Sequence, residues 1–282
     1  LNDSLIPKKE ITNSGPPRDG IPVLSNPVFI NSNQAKYLSD GDEILGISLN
    51  GIAKAYPVGI LNLHEIVNDV IDKKPIMITF CPLCGTGSVF ESKIKTLVYE
   101  YKVSGLMHNS DSLLYDKQTK SLWSQHKMNA VAGKMKNTTL KPIKSIHTTW
   151  GQWKVKHPQT RVLAKASKVL FDKDKNSYAL QGQEKLSLKP YYLLDDSYPL
   201  KEWTIGLKVG DKIKLYPYSK LAKDKKKSST LITDKIKNKI FSLHVNLDSR
   251  RIKILDSHGK HVSAFAGYWF AVRKIYPDAD IY

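Results

Sequence analysis

Between Ile76 and Glu91 the chain reads I-M-I-T-F-C-P-L-C-G-T-G-S-V-F-E, and both of its cysteines, Cys81 and Cys84, fall inside this stretch. Apolar, β-branched residues lead into the pair and Ser88 to Phe90 lead out of it, the pattern of a strand, a tight turn and a second strand. Pro82 fixes φ after the first cysteine, and Gly85 suits a left-handed conformation after the second. Such a knuckle leaves backbone N–H groups free to point at sulfur. A thioredoxin-like dithiol opens a helix whose dipole activates the thiolate. Here Gly85, Thr86, Gly87, Ser88 and Val89 follow instead, two glycines among poor helix formers. Metal is the usual occupant of a knuckle of this kind. With a single C-x-x-C, the remaining ligands must come from histidine, methionine, carboxylate or solvent. A local disulfide or an inert thiol pair is the plainer reading of the same residues.

At 282 residues and 41% hydrophobic content the chain is long enough for one large domain or two ordinary ones with a real core. No apolar run approaches the length of a membrane span, and no signal-peptide hydrophobic region is present, so a transmembrane protein is not expected. The first residue is Leu1 rather than methionine, which leads to the expectation of a processed protein, exported or held in the cell envelope. The formal charge of +18 comes from 44 Lys and Arg against 26 Asp and Glu. The lysines are scattered, without the basic face and interleaved aromatics of a nucleic-acid reader. Only Lys223 to Lys227 is dense, read as a solvated run with contact to an anionic surface as the alternative.

Residues 1–20 carry five Pro and Gly among polar residues and read as an extended N-terminal arm. Beyond it, Ile44 to Leu49 and Ile52 to Pro57 flank Asn50-Gly51, a strong signal for a type I′ hairpin. The plan returns at Ile205 to Val209 and Lys212 to Pro217 around Gly210-Asp211, with Gly46 matching Gly206 and Tyr56-Pro57 matching Tyr216-Pro217. Trp150-Gly151-Gln152-Trp153 likewise matches Ala266-Gly267-Tyr268-Trp269. These matches suggest two divergent related halves, 21–163 with the cysteines and 164–282 without them.

From Val58 to Ile71 the apolar spacing is helical: Ile60, His64, Val67 and Ile71 share a stripe, with Glu65 and Asp69 opposite. His64 then projects from a buried face just before the cysteine strand, as a hydrogen-bonded core residue or as a third ligand. Gly105 to Ser110 reads as a polar turn presenting Met107 and His108, chemically suited to a soft metal or simply core and turn residues. Ser110 with Asp111 lacks the G-x-S-x-G turn of a serine hydrolase. Short strands are expected at 113–116 and 121–125, a capped helix at 148–157, and an aromatic closing helix at 263–276. No βαβ series with a Gly-rich phosphate loop occurs, so no nucleotide cofactor is expected. The expected class is α+β, mainly antiparallel β, with barrel-like closure as one form of it.

Three segments carry a family resemblance: A-Y-P-V-G-I-L-N-L-H-E-I-V-N-D (Ala55 to Asp69), T-F-C-P-L-C-G-T-G (Thr79 to Gly87) and N-S-D-S-L-L-Y-D-K-Q-T-K-S-L-W-S-Q (Asn109 to Gln125). With the tail G-Y-W-F-A-V-R-K-I-Y-P-D-A-D, the chain resembles the domain-of-unknown-function 3179 family over nearly everything after the arm. Leu63 departs from the tryptophan frequent there. The resemblance implies no activity, but places His64, Glu65, Cys81, Cys84, Ser110, Tyr115, Asp116 and Trp123 in characteristic motifs. The leading expectation is an extracytoplasmic copper- or zinc-binding protein, with Cys81, Cys84 and His64 as ligands and His108 or Met107 as a fourth. A thiol–disulfide oxidoreductase, with Cys81 attacking and Cys84 resolving, is the second reading. A surface module with a local disulfide is the third.

Overall fold

A computed structural model of the chain describes residues 3–13, 16–82, 84–108, 111–165, 195, 197–199, 201–222, 228–247, 251–262 and 264–282. The alternating residues around Asn50-Gly51 form the expected hairpin. Glu43–Leu49 runs antiparallel to Ile52–Pro57, and both turn residues have positive φ, 49° and 82°. The chain divides into two compact units: Leu1–Leu83 with Gly87–Leu186, and Cys84–Thr86 with Ser187–Tyr282. Strand pairing is mostly antiparallel throughout the described residues.

In the first unit the hairpin sits in a five-stranded sheet ordered Ser145–Thr149, Glu43–Leu49, Ile52–Pro57, Arg161–Leu163, Phe29–Asn31. A four-stranded sheet follows: Leu24–Ser25, Ile66–Ile71, Lys74–Cys81, Thr86–Glu91. A further five-stranded sheet is ordered Ile11–Asn13, Tyr101–His108, Asp111–Asp116, Leu122–Ser124, Asn129–Ala132. Each sheet has two edges, in place of the barrel-like closure entertained from the sequence. One cluster packs Tyr56, Leu61, Val67, Ile76, Ile78 and Phe80; another packs Met77, Phe90, Tyr101, Leu114 and Trp123. Trp150 and Trp153 are buried, as expected, on the short helix Trp150–Lys156.

Four segments depart from the sequence reading. The helix anticipated over 58–71 ends at His64: Val58–His64 is helical, Glu65 turns to φ +55°, and Ile66–Ile71 is a strand paired with Lys74–Cys81. Ile66, Val67, Val70 and Ile71 are β-branched, so the ladder offered by the next strand overrides the helical spacing. Glu65, assigned to the solvent side of that helix, is buried as a result. The polar turn expected at 105–110 is largely strand: Gly105 to His108 belongs to Tyr101–His108, with a register shift between Val103 and Leu106. The arm is docked, Ile6 being buried and Ile11–Asn13 pairing with Leu106 to His108. The closing helix is a strand, Phe265–Tyr268, followed by the helix Trp269–Ile275. The Lys223 to Lys227 run lies outside the described residues.

The second unit holds the hairpin Trp203–Val209 and Lys212–Pro217, in the order Phe265–Tyr268, Trp203–Val209, Lys212–Pro217, Asp280–Ile281. Its pairing senses are antiparallel, antiparallel, parallel, the same as those from Ser145–Thr149 to Arg161–Leu163. A second sheet runs Ser229–Ile236, Lys239–Asn246, Arg251–Asp256, His261–Val262. In this unit the Tyr268 N–H donates to the Cys84 carbonyl at 2.8 Å.

Both hairpins are tied in the same way. In the first, Lys54 Nζ lies 2.7 Å and Tyr56 OH 2.6 Å from Asp69 Oδ2; in the second, Lys214 Nζ lies 2.8 Å and Tyr216 OH 2.7 Å from Asp234 Oδ2.

Candidate metal centre

The expected strand–turn–strand carries the thiols. Lys74–Cys81 ends on the first cysteine, Gly85 has φ +68°, and the next strand starts at Thr86. Cys81 and Cys84 are thiols with no exposed surface. Asp111, at the start of Asp111–Asp116, joins them: one carboxylate oxygen and the two Sγ atoms all lie within 4.8 Å of one another. Two thiols and a carboxylate are the donor set of a borderline-soft divalent cation.

Asp111 is 1% exposed, and its two oxygens differ. Oδ1 accepts a hydrogen bond from Gln125 Nε2. His126 Nε2 lies 3.3 Å from the same oxygen but outside hydrogen-bond geometry. Oδ2 is buried without a hydrogen-bond partner. Gln125 is itself held, its Oε1 accepting from Thr79 Oγ1 at 2.9 Å. Thr79 stands two residues before Cys81 on one strand, so their side chains leave the same face. A buried carboxylate oxygen with no donor costs free energy that a cation in reach of the two sulfurs would offset.

Glu65 adds a second buried acid. Burial, then the Asp111 charge, push its carboxyl up to about 7, against a hydrogen bond from Ser112 that lowers it. Its backbone is pinned on both sides: the N–H donates to Leu61 O and the carbonyl accepts from Phe80 N–H, each at 2.7 Å. This holds a non-glycine residue at φ +55°, a conformation that costs about 1–3 kcal/mol and concentrates at functional sites.

The other expected residues are placed as follows. His64 is buried at the helix end and its Nδ1 lies 2.6 Å from Pro22 O, so Nδ1 carries the hydrogen. His108 faces Asp111 across the strand pair, its Nε2 3.2 Å from Glu10 Oε2, and burial lowers its pKa. The close set is Cys81, Cys84 and Asp111, without His64 or His108. Met107 is buried in its strand opposite Ser112. Tyr115 donates to Asp19 under the Arg18 guanidinium, 3.8 Å above its ring. Asp116 binds Trp123 Nε1 at 2.9 Å and the Thr119 hydroxyl at 2.7 Å, which makes the D-K-Q-T-K-S-L-W motif a braced turn. Ser110 lies outside the described residues.

In the sequence Asp111 reads only as a motif residue beside Ser110, and Thr79, Gln125 and His126 are not among the candidate ligands. A signal for Thr79 existed in its period-two relation to Cys81. Asp111 and Gln125 sit at the ends of the quoted N-S-D…W-S-Q motif, but only strand pairing brings them together.

Residues 18–279 match the family described as "Protein of unknown function (DUF3179)". The chain belongs to this family. No curated protein and no solved structure matches it.

Proposed function

For this member of the DUF3179 family we propose binding of one divalent transition-metal ion, zinc in type, by Cys81, Cys84 and Asp111. The observation that carries the reading is the 4.8 Å grouping of two buried thiols with a buried carboxylate whose Oδ2 has no donor. A carboxylate among the donors favours zinc over copper(I), which prefers soft ligands throughout. When bound, the ion would convert both thiols to thiolates and supply charge stabilisation or Lewis acidity there. Full burial of both sulfurs weighs against thiol–disulfide exchange with a macromolecular partner, which needs an accessible thiolate. Titration of chelator-stripped protein with zinc should reach one ion per chain, and Cys81→Ser/Cys84→Ser should abolish the uptake. Zinc uptake unchanged in that double variant would overturn the assignment.

We infer as well that the halves 21–163 and 164–282 descend from one ancestral unit, of which the first half retained the thiols. The support is the shared order and sense of four strands together with the paired Lys54–Tyr56–Asp69 and Lys214–Tyr216–Asp234 ties.

A further inference from the structure

We infer that Thr79 and Gln125 form a positioning relay that fixes Asp111 with Oδ1 occupied and Oδ2 left as the ligand oxygen, so that the site takes a small cation through a single carboxylate oxygen. The inference rests on the metal reading above and extends it to residues that touch no metal.

The relay is directional. Thr79 Oγ1 donates to Gln125 Oε1, and the other end of the amide, Nε2, donates to Asp111 Oδ1. A glutamine has one acceptor and one donor end and an ionised carboxylate only accepts, so the donor end faces Asp111 and the acceptor end is left to the Thr79 hydroxyl, which anchors it. Thr79, Gln125 and Asp111 are each about 1% exposed. No solvent competes for these bonds, and a flipped amide would set two acceptors, Gln125 Oε1 and Asp111 Oδ1, against each other. With Oδ1 engaged by the amide and approached by His126, bidentate chelation is disfavoured. Monodentate carboxylate beside two thiolates suits a four-coordinate zinc-like ion. Calcium and magnesium, which demand six or more oxygen ligands, have no comparable fit. The relay also ties the ligands to one another, because Thr79 shares its strand with Cys81. Displacing the hydroxyl therefore moves the carboxylate relative to the sulfurs. Hydrogen-bonded partners of this kind typically change metal affinity by about 10–100-fold when removed.

The test uses the full chain stripped of metal, titrated with zinc in competition with a chromophoric chelator, and separately with cobalt(II) for its visible spectrum. Thr79→Val and Gln125→Leu should each weaken zinc binding about 10–100-fold and shift the cobalt d–d bands, while the metal-free melting temperature shows that each variant folds. Thr79→Ser, which keeps the hydroxyl, should restore wild-type affinity and spectrum. Wild-type affinity and spectrum in both Thr79→Val and Gln125→Leu would overturn the relay and leave the metal site standing. So would a Thr79→Ser as weak as Thr79→Val, which would assign the effect to packing. A wild-type chain that takes up no zinc would overturn the metal reading, and the relay with it.

Discussion

Glu65 carries two energetic penalties at once, a left-handed-side φ and a buried carboxyl whose pKa is raised to about 7. A folded-state pKa above the unfolded value near 4.5 means that the folded chain holds the proton more tightly. Stability from this group is therefore complete below about pH 4.5, falls as pH rises towards 7, and is absent above it. The metal-free protein should be more stable at pH 5 than at pH 8, by roughly 3 kcal/mol from this residue. Denaturant melts across that range should show the slope, and Glu65→Gln should flatten it; an unchanged slope would remove Glu65 as its source. Asp111 yields a prediction of opposite character. Asp111→Asn should weaken zinc binding by at least about 100-fold while leaving the metal-free melting temperature equal or higher, because it replaces an undonated buried oxygen. Loss of metal-free stability alongside would show that the carboxylate serves the fold. The cysteines were legible from sequence because local spacing defines a knuckle. Asp111 was not, because its relation to them is made by strand pairing between distant segments, and an aspartate at the start of a strand carries no local mark of it.

Hairpins announced themselves through turn residues and alternation, and both appeared with the expected boundaries to within a residue or two. The helix over 58–71 failed for a definite reason. Its β-branched second half satisfied helical spacing and strand alternation alike, and only the partner strand Lys74–Cys81 decided between them. That choice buried Glu65 and set His64 at a helix end beside Pro22 O. The Lys–Tyr–Asp ties went unread, since lysine and tyrosine two apart on a strand look like ordinary alternation until an aspartate meets both. Burial works to raise the Asp234 carboxyl, but hydrogen bonds from Lys214 and Tyr216 outweigh it and hold its pKa below the usual aspartate value. Its stabilising contribution is then present above the unfolded value and lost as pH falls through the folded one. Asp69→Asn and Asp234→Asn should each destabilise by about 2 kcal/mol at neutral pH, and the second should blunt acid sensitivity below about pH 4. Equal acid sensitivity in Asp234→Asn, followed by circular dichroism, would contradict this. Close approach predicts a matching pair of costs. A Cβ at Gly46 would fall 2.5 Å from the Trp153 ring, and one at Gly206 1.9 Å from the Phe265 ring. Alanine at either should cost about 1–3 kcal/mol by overpacking.

Among the described residues, the mostly antiparallel pairing, which is compatible with an α+β class, could be read from strand-length segments and the lack of a βαβ series. Family membership followed from ordered motifs, and it covers residues 18–279. Among the described residues no helix is long and apolar enough to cross a membrane. The metal reading also has a consequence for stability as a whole, because an ion bound only by the folded chain stabilises it by mass action. Zinc at 100 times its dissociation constant should add about 2.7 kcal/mol. The melting temperature should rise with zinc in the wild type and stay flat in Cys81→Ser/Cys84→Ser. The most direct test of the proposal is X-ray absorption at the zinc edge on the zinc-loaded protein. The account predicts two sulfur scatterers at about 2.3 Å with oxygen or nitrogen at about 2.0–2.2 Å, and loss of one light scatterer or a change in its distance in Asp111→Asn. A zinc shell without sulfur, or one unchanged by Asp111→Asn, would contradict it.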